Sequence, residues 1–298
     1  MSPAAPEPRT RPAGSDLRLL VPLRPQGPVE VIDRATNLLR TRLGDVATIS
    51  LAVQVPIWLV LALLLRDEWA AGIEDNLAFF WLAFFPDPVT VGLLADRAGE
   101  GSTFAILASR ALPSFGLAVI GAASGLLVHD WSQGRTTTGA DALRRVGRRL
   151  HSLLGLWAIV HALEVVTCIG VGLGPLVFGV AAPLWAMEGL GPWEGVVRSF
   201  RLSLRRFWTL CLSIPVATLV AALTAALLSL VGVPILSALT GGWVDAGGAA
   251  ATALAGALPH LVLDPLLAMA MALIALDLKV QVEGYDLEVE LEEDAAGA

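Results

Sequence analysis

From Phe207 to Val231 the chain reads FWTLCLSIPVATLVAALTAALLSLV, and no Asp, Glu, Lys or Arg occurs anywhere between Arg206 and Asp245. A helix that crosses the hydrocarbon layer of a bilayer needs about 20 mostly apolar residues. This run exceeds that length without a single charge to hydrate. Charge-free runs between Asp45 and Arg66 and between Glu164 and Glu188 repeat the pattern. Over all 298 residues the chain is 55% hydrophobic and 16% charged, with a mean hydropathy of +0.70. Soluble domains carry about a quarter charged residues, and no soluble fold of this size buries so large an apolar share. The sequence therefore predicts an all-α, polytopic membrane helix bundle.

Six spans are expected, at about 46–65, 103–128, 150–170, 176–187, 207–231 and 249–276. The third and fourth can also be read as one continuous helix between Glu164 and Glu188. Residues 66–102 form an outer loop, whose Phe79, Phe80, Trp81, Phe84 and Phe85 suit a membrane–water boundary. Residues 1–26 are rich in Pro, Ala and Arg. Their apolar piece, Leu17 to Leu23, is interrupted by Arg18 and Pro22, which predicts a disordered cytoplasmic segment rather than a signal peptide. The membrane domain covers 27–282, and an acidic cytoplasmic tail, strand-like or disordered, covers 283–298. Cys168 and Cys211 fall in apolar runs and read as packing residues.

Arginine placement sets the orientation, because cytoplasmic flanks carry the excess of basic residues. Arg34, Arg40 and Arg42 precede the first span. Arg144, Arg145, Arg148 and Arg149 lie between the second and third. Arg198, Arg201, Arg205 and Arg206 lie between the fourth and fifth. Six spans with both termini in the cytoplasm place all of these on the inner face of a cell membrane.

The basic segments resemble one another. Gly27, Pro28 and Glu30 lead to Arg34, Leu38 and Arg42, and Gly191, Pro192 and Glu194 lead to Arg198, Leu202 and Arg206, a shift of 164 residues. In a shorter middle copy, Gly139 and Asp141 lead to Arg145, Arg148 and Arg149. Each copy sets an acid four residues before an arginine, a favourable helical pair. Thr138 and Asp141 have capping-box spacing. The copies predict amphipathic helices at about 28–43, 139–150 and 192–206. In the last, Trp193, Val196, Val197, Phe200, Leu204 and Phe207 share one face. These helices are expected in the headgroup layer, with arginines toward anionic lipid. Each then introduces one pair of spans, giving three repeated units.

Three stretches carry a likeness to a known family. They are Pro22-Leu23-Arg24-Pro25 with Val31 to Ala35, the run from Glu188 through Gly191, Pro192, Trp193 and Glu194 to Trp208, and Asp264-Pro265-Leu266 followed by Asp277 to Leu287. Together they resemble the actinobacterial integral membrane proteins labelled "glycerophosphoryl diester phosphodiesterase membrane domain", over about residues 20–290. The resemblance implies a membrane domain and no activity. The label comes from a membrane region fused to a phosphodiesterase in other proteins, and no such catalytic domain occurs here. The chain departs from the family pattern at Leu276, where an aromatic is expected, and in a longer outer loop.

Ionisable residues inside spans are costly and mark candidate sites. Here they are Arg110, His161, Glu164, His260 and Asp264. His161 and Glu164 share a helix face, as do His260 and Asp264. Two such pairs on facing helices would suit a proton relay or a metal. Arg110 paired with Glu164 or Asp264 would instead be a structural ion pair. The chain has no P-loop, dinucleotide fingerprint, zincin motif or paired Cys-x-x-Cys, so no catalytic residue, cofactor or metal is expected. Nor is a nucleic-acid partner, since the arginine clusters lack interleaved aromatics. The sequence reads as a non-enzymatic scaffold or accessory component of the cell envelope, with a protein partner for the acidic tail. The alternatives are a transporter or channel with a polar path near Glu164 and Asp264, and a membrane enzyme acting on lipid headgroups.

Overall fold

The computed structural model describes residues 21–64, 99–167, 174–239, 249–287, 289 and 291, and no side chains at 62–64, 99–110, 165–167, 249–259 or much of 222–239. Residues 1–20, most of the outer loop with its aromatic cluster, and most of the tail lie outside these. Every regular element among the described residues is helical. In chain order they are α1 (Pro28–Thr41), α2 (Leu43–Leu64), α3 (Gly99–Ser132), α4 (Gly139–Arg148), α5 (Leu150–Thr167), α6 (Gly174–Phe178), α7 (Ala181–Glu188), α8 (Pro192–Arg205), α9 (Phe207–Leu239) and α10 (Ala249–Glu283).

The repeat is written in the backbone. α1, α4 and α8 start after Gly27, Thr138 and Gly191, whose φ/ψ angles are −82/162, −90/159 and −74/167. They end on Arg42, Arg149 and Arg206, with φ/ψ of −121/33, −119/20 and −128/32. Each arginine breaks the helix for one residue, and the next helix restarts at once. At Arg206 the two helices meet at 104°. The middle copy begins one residue earlier than the Gly139 alignment suggests. From the caps, Arg34, Arg145 and Arg198 all stand at the seventh position, and Val31, Ala142 and Gly195 are all buried at the fourth.

Three glycines close the pattern. Gly134, Gly189 and Gly284 have φ of 74°, 66° and 69° and follow the ends of α3, α7 and α10. A left-handed residue lets the last carbonyls be capped by the chain beyond, at no steric penalty only for glycine.

Among the described residues three helices are long and apolar enough to cross a membrane: Leu43–Leu61, Ala111–Ser132 and His260–Glu283. A fourth is added if Pro192–Arg205 and Phe207–Ala221 count as one bent span. Leu150–Glu164 is apolar but shorter, as is the interrupted stretch Leu176–Glu188. The segment expected at 176–187 is not one helix, because α6 and α7 break at Gly179 and Val180. Its twelve residues would rise about 18 Å in one helix, against about 30 Å of hydrocarbon. The continuous reading from Glu164 to Glu188 fails at the same break.

α10 is the central helix: 89% of an 18-residue stretch within His260–Glu283 is buried, against 22% of such a stretch within Leu43–Leu61. It packs against α1, α2, α3 and α9. The amphipathic helices fill the gaps in a closed order. α1 lies on α9 and α10, α4 on α2 and α3, and α8 on α5, α6 and α7. Each therefore rests on helices that follow the preceding amphipathic helix, so the ring closes between the two ends of the chain. α3 and α7 touch backbone to backbone. A Cβ on Gly125 would lie 2.7 Å from Pro183 Cα.

The apolar face expected for α8 divides. Gly195, Val196, Ser199, Leu202 and Ser203 are buried, while Trp193, Phe200 and Leu204 point outward with Trp208, which is 82% exposed. The inner face is set by small residues and hydrogen bonding. Ser199 and Ser203 donate to the Val177 carbonyl at 2.8 and 3.2 Å, a group that the break after α6 leaves without a helical partner. The described part of the tail is a helical turn rather than a strand.

Candidate functional site

The ionisable residues expected in the spans separate into two unconnected pairs. His161, on α5, turns to Ser114 of α3. Its Nδ1 lies 3.0 Å from the Trp157 carbonyl and its Nε2 2.9 Å from Ser114 Oγ, while Trp157 Nε1 donates to Ser114 Oγ at 3.0 Å. A carbonyl only accepts, so Nδ1 carries a proton, and in the neutral ring Nε2 then accepts from the serine hydroxyl. Both ring nitrogens are thereby used by neutral partners. Glu164 shares the face of His161 but presses against Gly174 at the start of α6.

His260 and Asp264, on α10, turn to α2 instead. His260 Nδ1 lies 3.2 Å from Asp264 Oδ1, Gln54 donates to Asp264 Oδ2, and the Trp58 ring packs 5.1 Å from that of His260. Pro265 lacks the N–H that would take the Leu261 carbonyl. Ser50 supplies a hydroxyl there at 3.3 Å. These contacts make the α2–α10 seam a polar joint, as polar side chains often do between helices in lipid. The Arg110 side chain lies outside the described residues, so its expected ion pair does too. Among the described residues no group of three or more His, Cys, Asp or Glu comes together to hold a metal. Asp264→Asn, which still accepts from Gln54, is expected to cost under about 1 kcal/mol, and Asp264→Leu, which strands buried Gln54 and His260, about 2 kcal/mol. Thermal unfolding in detergent checks the order.

A denser polar network, missed in the sequence reading, lies where the ends of α3, α7 and α10 meet α8 and the chain ahead of α1. Arg198 makes a two-pronged pair with Glu188, Nε to Oε2 at 2.9 Å and Nη2 to Oε1 at 3.0 Å, and reaches Glu283 at 2.6 Å. Lys279, the chain's single lysine, lies 3.3 Å from Glu188 and 4.3 Å over the Tyr285 ring. Tyr285 accepts from Gln133 at 2.7 Å, and its ring stacks 6.0 Å from His129. Asp277 accepts from the Gln26 backbone and from Gln281, both at 2.7 Å. The motif from Asp277 to Tyr285 thus ties the chain ahead of α1, the end of α3, the end of α7 and α8 to one helix end. Burial raises the Glu188 carboxyl, but the Arg198 hydrogen bonds and the Lys279 charge outweigh it and hold it below the ordinary range. The same hydrogen bonds raise Arg198 further.

The arginines expected to face lipid divide by partner. Arg34 pairs with Glu30 at 2.7 Å, the one copy in which the i,i+4 pair forms. In the other two the seventh-position arginine leaves its helix. Arg145 reaches Asp130 at 2.8 Å and Arg198 reaches Glu188, because Asp141 and Glu194 are used as caps toward Thr138 and the Gly191 N–H. Arg42 lies 5.6 Å over Trp131 and Arg149 4.7 Å over Trp185. Arg40, Arg144, Arg148, Arg201, Arg205 and Arg206 are exposed.

No family model, no curated protein and no solved structure matches this chain.

Proposed function

We propose that the chain is a multi-span scaffold of a cell membrane, non-enzymatic, built from three units that each pair an amphipathic helix with two membrane segments. The observation that carries this reading is the threefold recurrence of one junction: an N-cap, a seventh-position arginine, a cap arginine that breaks the helix, and a left-handed glycine after the last helix of the unit. The short α5 and the broken α6–α7 are then the middle unit's membrane pair, and the count is six, with the bilayer thinned around α6–α7, whose rise falls short of the hydrocarbon thickness. Arginine excess puts α1, α4 and α8 on the cytoplasmic side of the plasma membrane, with both termini. The likeness to the actinobacterial membrane-domain family belongs to the same reading.

Such a bundle offers partners a fixed platform. Trp193, Phe200, Leu204 and Trp208 point outward beside the exposed Arg201, Arg205 and Arg206, a combination that suits the headgroup layer. Exposed Leu287 and Leu291 give the acidic tail apolar contact points for a cytoplasmic protein. The docked Glu283 and Tyr285 are excluded from that role. The test is single-cysteine labelling with a membrane-impermeant maleimide, together with crosslinking from the tail beyond residue 287. Labelling of Arg40→Cys, Arg148→Cys and Arg201→Cys from the cytoplasmic side alone is expected, with one recurrent protein partner lost on truncation after 287. Labelling from opposite sides overturns the six-span topology.

A transporter is the second reading, and one observation favours it. Gln54 is fully buried beside Asp264, and its Oε1 has no hydrogen-bond partner among the described residues. Solute or proton flux in proteoliposomes that Asp264→Asn abolishes would replace the scaffold reading with this one.

A further inference from the structure

Arg145 and Arg149 stand four residues apart at the end of α4, and with Leu126, Val146, Trp185 and Ala186 they line a half-open cleft of about 200 Å³ between α3, α4 and α7. Its charge is unbalanced. Asp130 is shared by Arg135 and Arg145, and Arg149 has no carboxylate partner among the described residues. Three guanidiniums therefore stand against one carboxylate. The other copies differ. Arg34 shares Glu30 with Arg24, with no further guanidinium left unpaired beside them among the described residues, and Arg198 is held by Glu188 and Glu283.

Arg149 is also held in place. Its Nη2 donates to the Gly189 carbonyl at 3.0 Å and to that of Leu190. The guanidinium lies over Trp185, whose indole donates to Ser152 at 3.1 Å. A guanidinium fixed on an aromatic face loses little freedom on binding and presents planar donors matched to phosphate oxygens. Leu126, Val146 and Ala186 supply an apolar floor. The volume is below the roughly 300 Å³ of drug-sized sites and suits one anionic head with a short ester stem.

We propose that this cleft binds a phosphate ester, with Arg145 and Arg149 as its ligands and the membrane's anionic lipid headgroups as one source of it. The proposal rests on the reading that α4 lies at the headgroup layer. A basic cleft between membrane helices on the cytoplasmic side has the chemistry of a headgroup site. A soluble phosphate monoester offers the same anion.

The test uses the full chain, thermal unfolding and native mass spectrometry, at physiological salt. One arm places it in phosphatidylcholine nanodiscs with or without phosphatidylglycerol. The other adds glycerol phosphate in neutral detergent. Saturable stabilisation with one retained ligand is expected, weakened about tenfold by Arg145→Gln and by Arg149→Lys. Arg148→Gln makes the same charge change as Arg145→Gln outside the cleft and is expected to leave binding unaltered. Leu126→Trp fills the cleft without touching a charge and should weaken it, which keeps the test valid if an arginine variant folds poorly. Response to phosphatidylglycerol alone assigns the lipid as the source. Response to glycerol phosphate as well assigns the phosphate ester generally. Equal losses with Arg145→Gln and Arg148→Gln mean diffuse attraction and overturn the site, as does no response to either probe. Labelling of Arg148→Cys from the aqueous phase reports independently whether α4 lies at the surface, so failure of that reading is told apart from failure of the cleft.

Discussion

Arg198→Ala lowers the stability of the folded bundle by about 2–3 kcal/mol, the expected cost of leaving a partly buried carboxylate without its hydrogen-bonded partner. Glu188 has 16% of its side chain exposed and Glu283 28%. Glu188 keeps only Lys279 after the substitution, and Glu283 loses its hold on α8. The loss is not that of a surface ion pair, which is worth about 0–1 kcal/mol, because the arginine is bonded to two carboxylates from two different helices. Arg145→Ala serves as the comparison. Its partner Asp130 is more deeply buried, but Arg135 and Thr137 still bond that carboxylate, so a loss under about 1 kcal/mol is expected. Unfolding by heat or denaturant in a single detergent gives both values. Equal losses would mean that the contacts of Arg198 with α7 and α10 do not act as a joint.

Gly125→Val is expected to cost more than about 3 kcal/mol or to prevent folding, through overpacking that the neighbour cannot relieve. Its Cβ would meet Pro183 Cα at 2.7 Å and the Pro183 carbonyl oxygen at 2.9 Å. Those are backbone atoms of a proline inside α7, so neither rotamer change nor local sliding removes the clash. Gly121, one turn earlier, has 3.8 Å to the nearest such atom. Gly121→Ala is therefore expected to be tolerated within about 0.5 kcal/mol. A tolerated Gly125→Val would mean that α3 and α7 do not approach this closely. Expression with monodisperse gel filtration separates the outcomes before any melting curve is needed.

The sequence by itself determined the helical class and the recurring amphipathic segments, and it pointed to lipid as the solvent. Long runs without Asp, Glu, Lys or Arg require helices, because helices satisfy their own backbone where water is absent. The Gly-Pro-x-Glu starts and the arginine spacing located α1, α4 and α8 within a residue or two, since caps and amphipathic periods are local features. Two things were not legible. The i,i+4 acid–arginine pairs were local guesses that long-range geometry overrode in two copies. Asp130 and Glu188 present buried acceptors, which bind a guanidinium more firmly than the exposed Asp141 and Glu194 on the same helix. The joint at Asp277, Lys279, Glu283 and Tyr285 was hidden for the same reason. Its partners lie up to 251 residues away in Gln26, and a motif shows only that its residues matter together. Spacing put each expected pair on one helix face, and of the two only His260 and Asp264 touch each other, while His161 and Glu164 turn to different neighbours. Which neighbour each pair faces, Ser114 for His161 and Gln54 for Asp264, was decided only by how α5 packs on α3 and α10 on α2. Periodicity assigns a residue to a face of its own helix, and packing alone determines what that face meets.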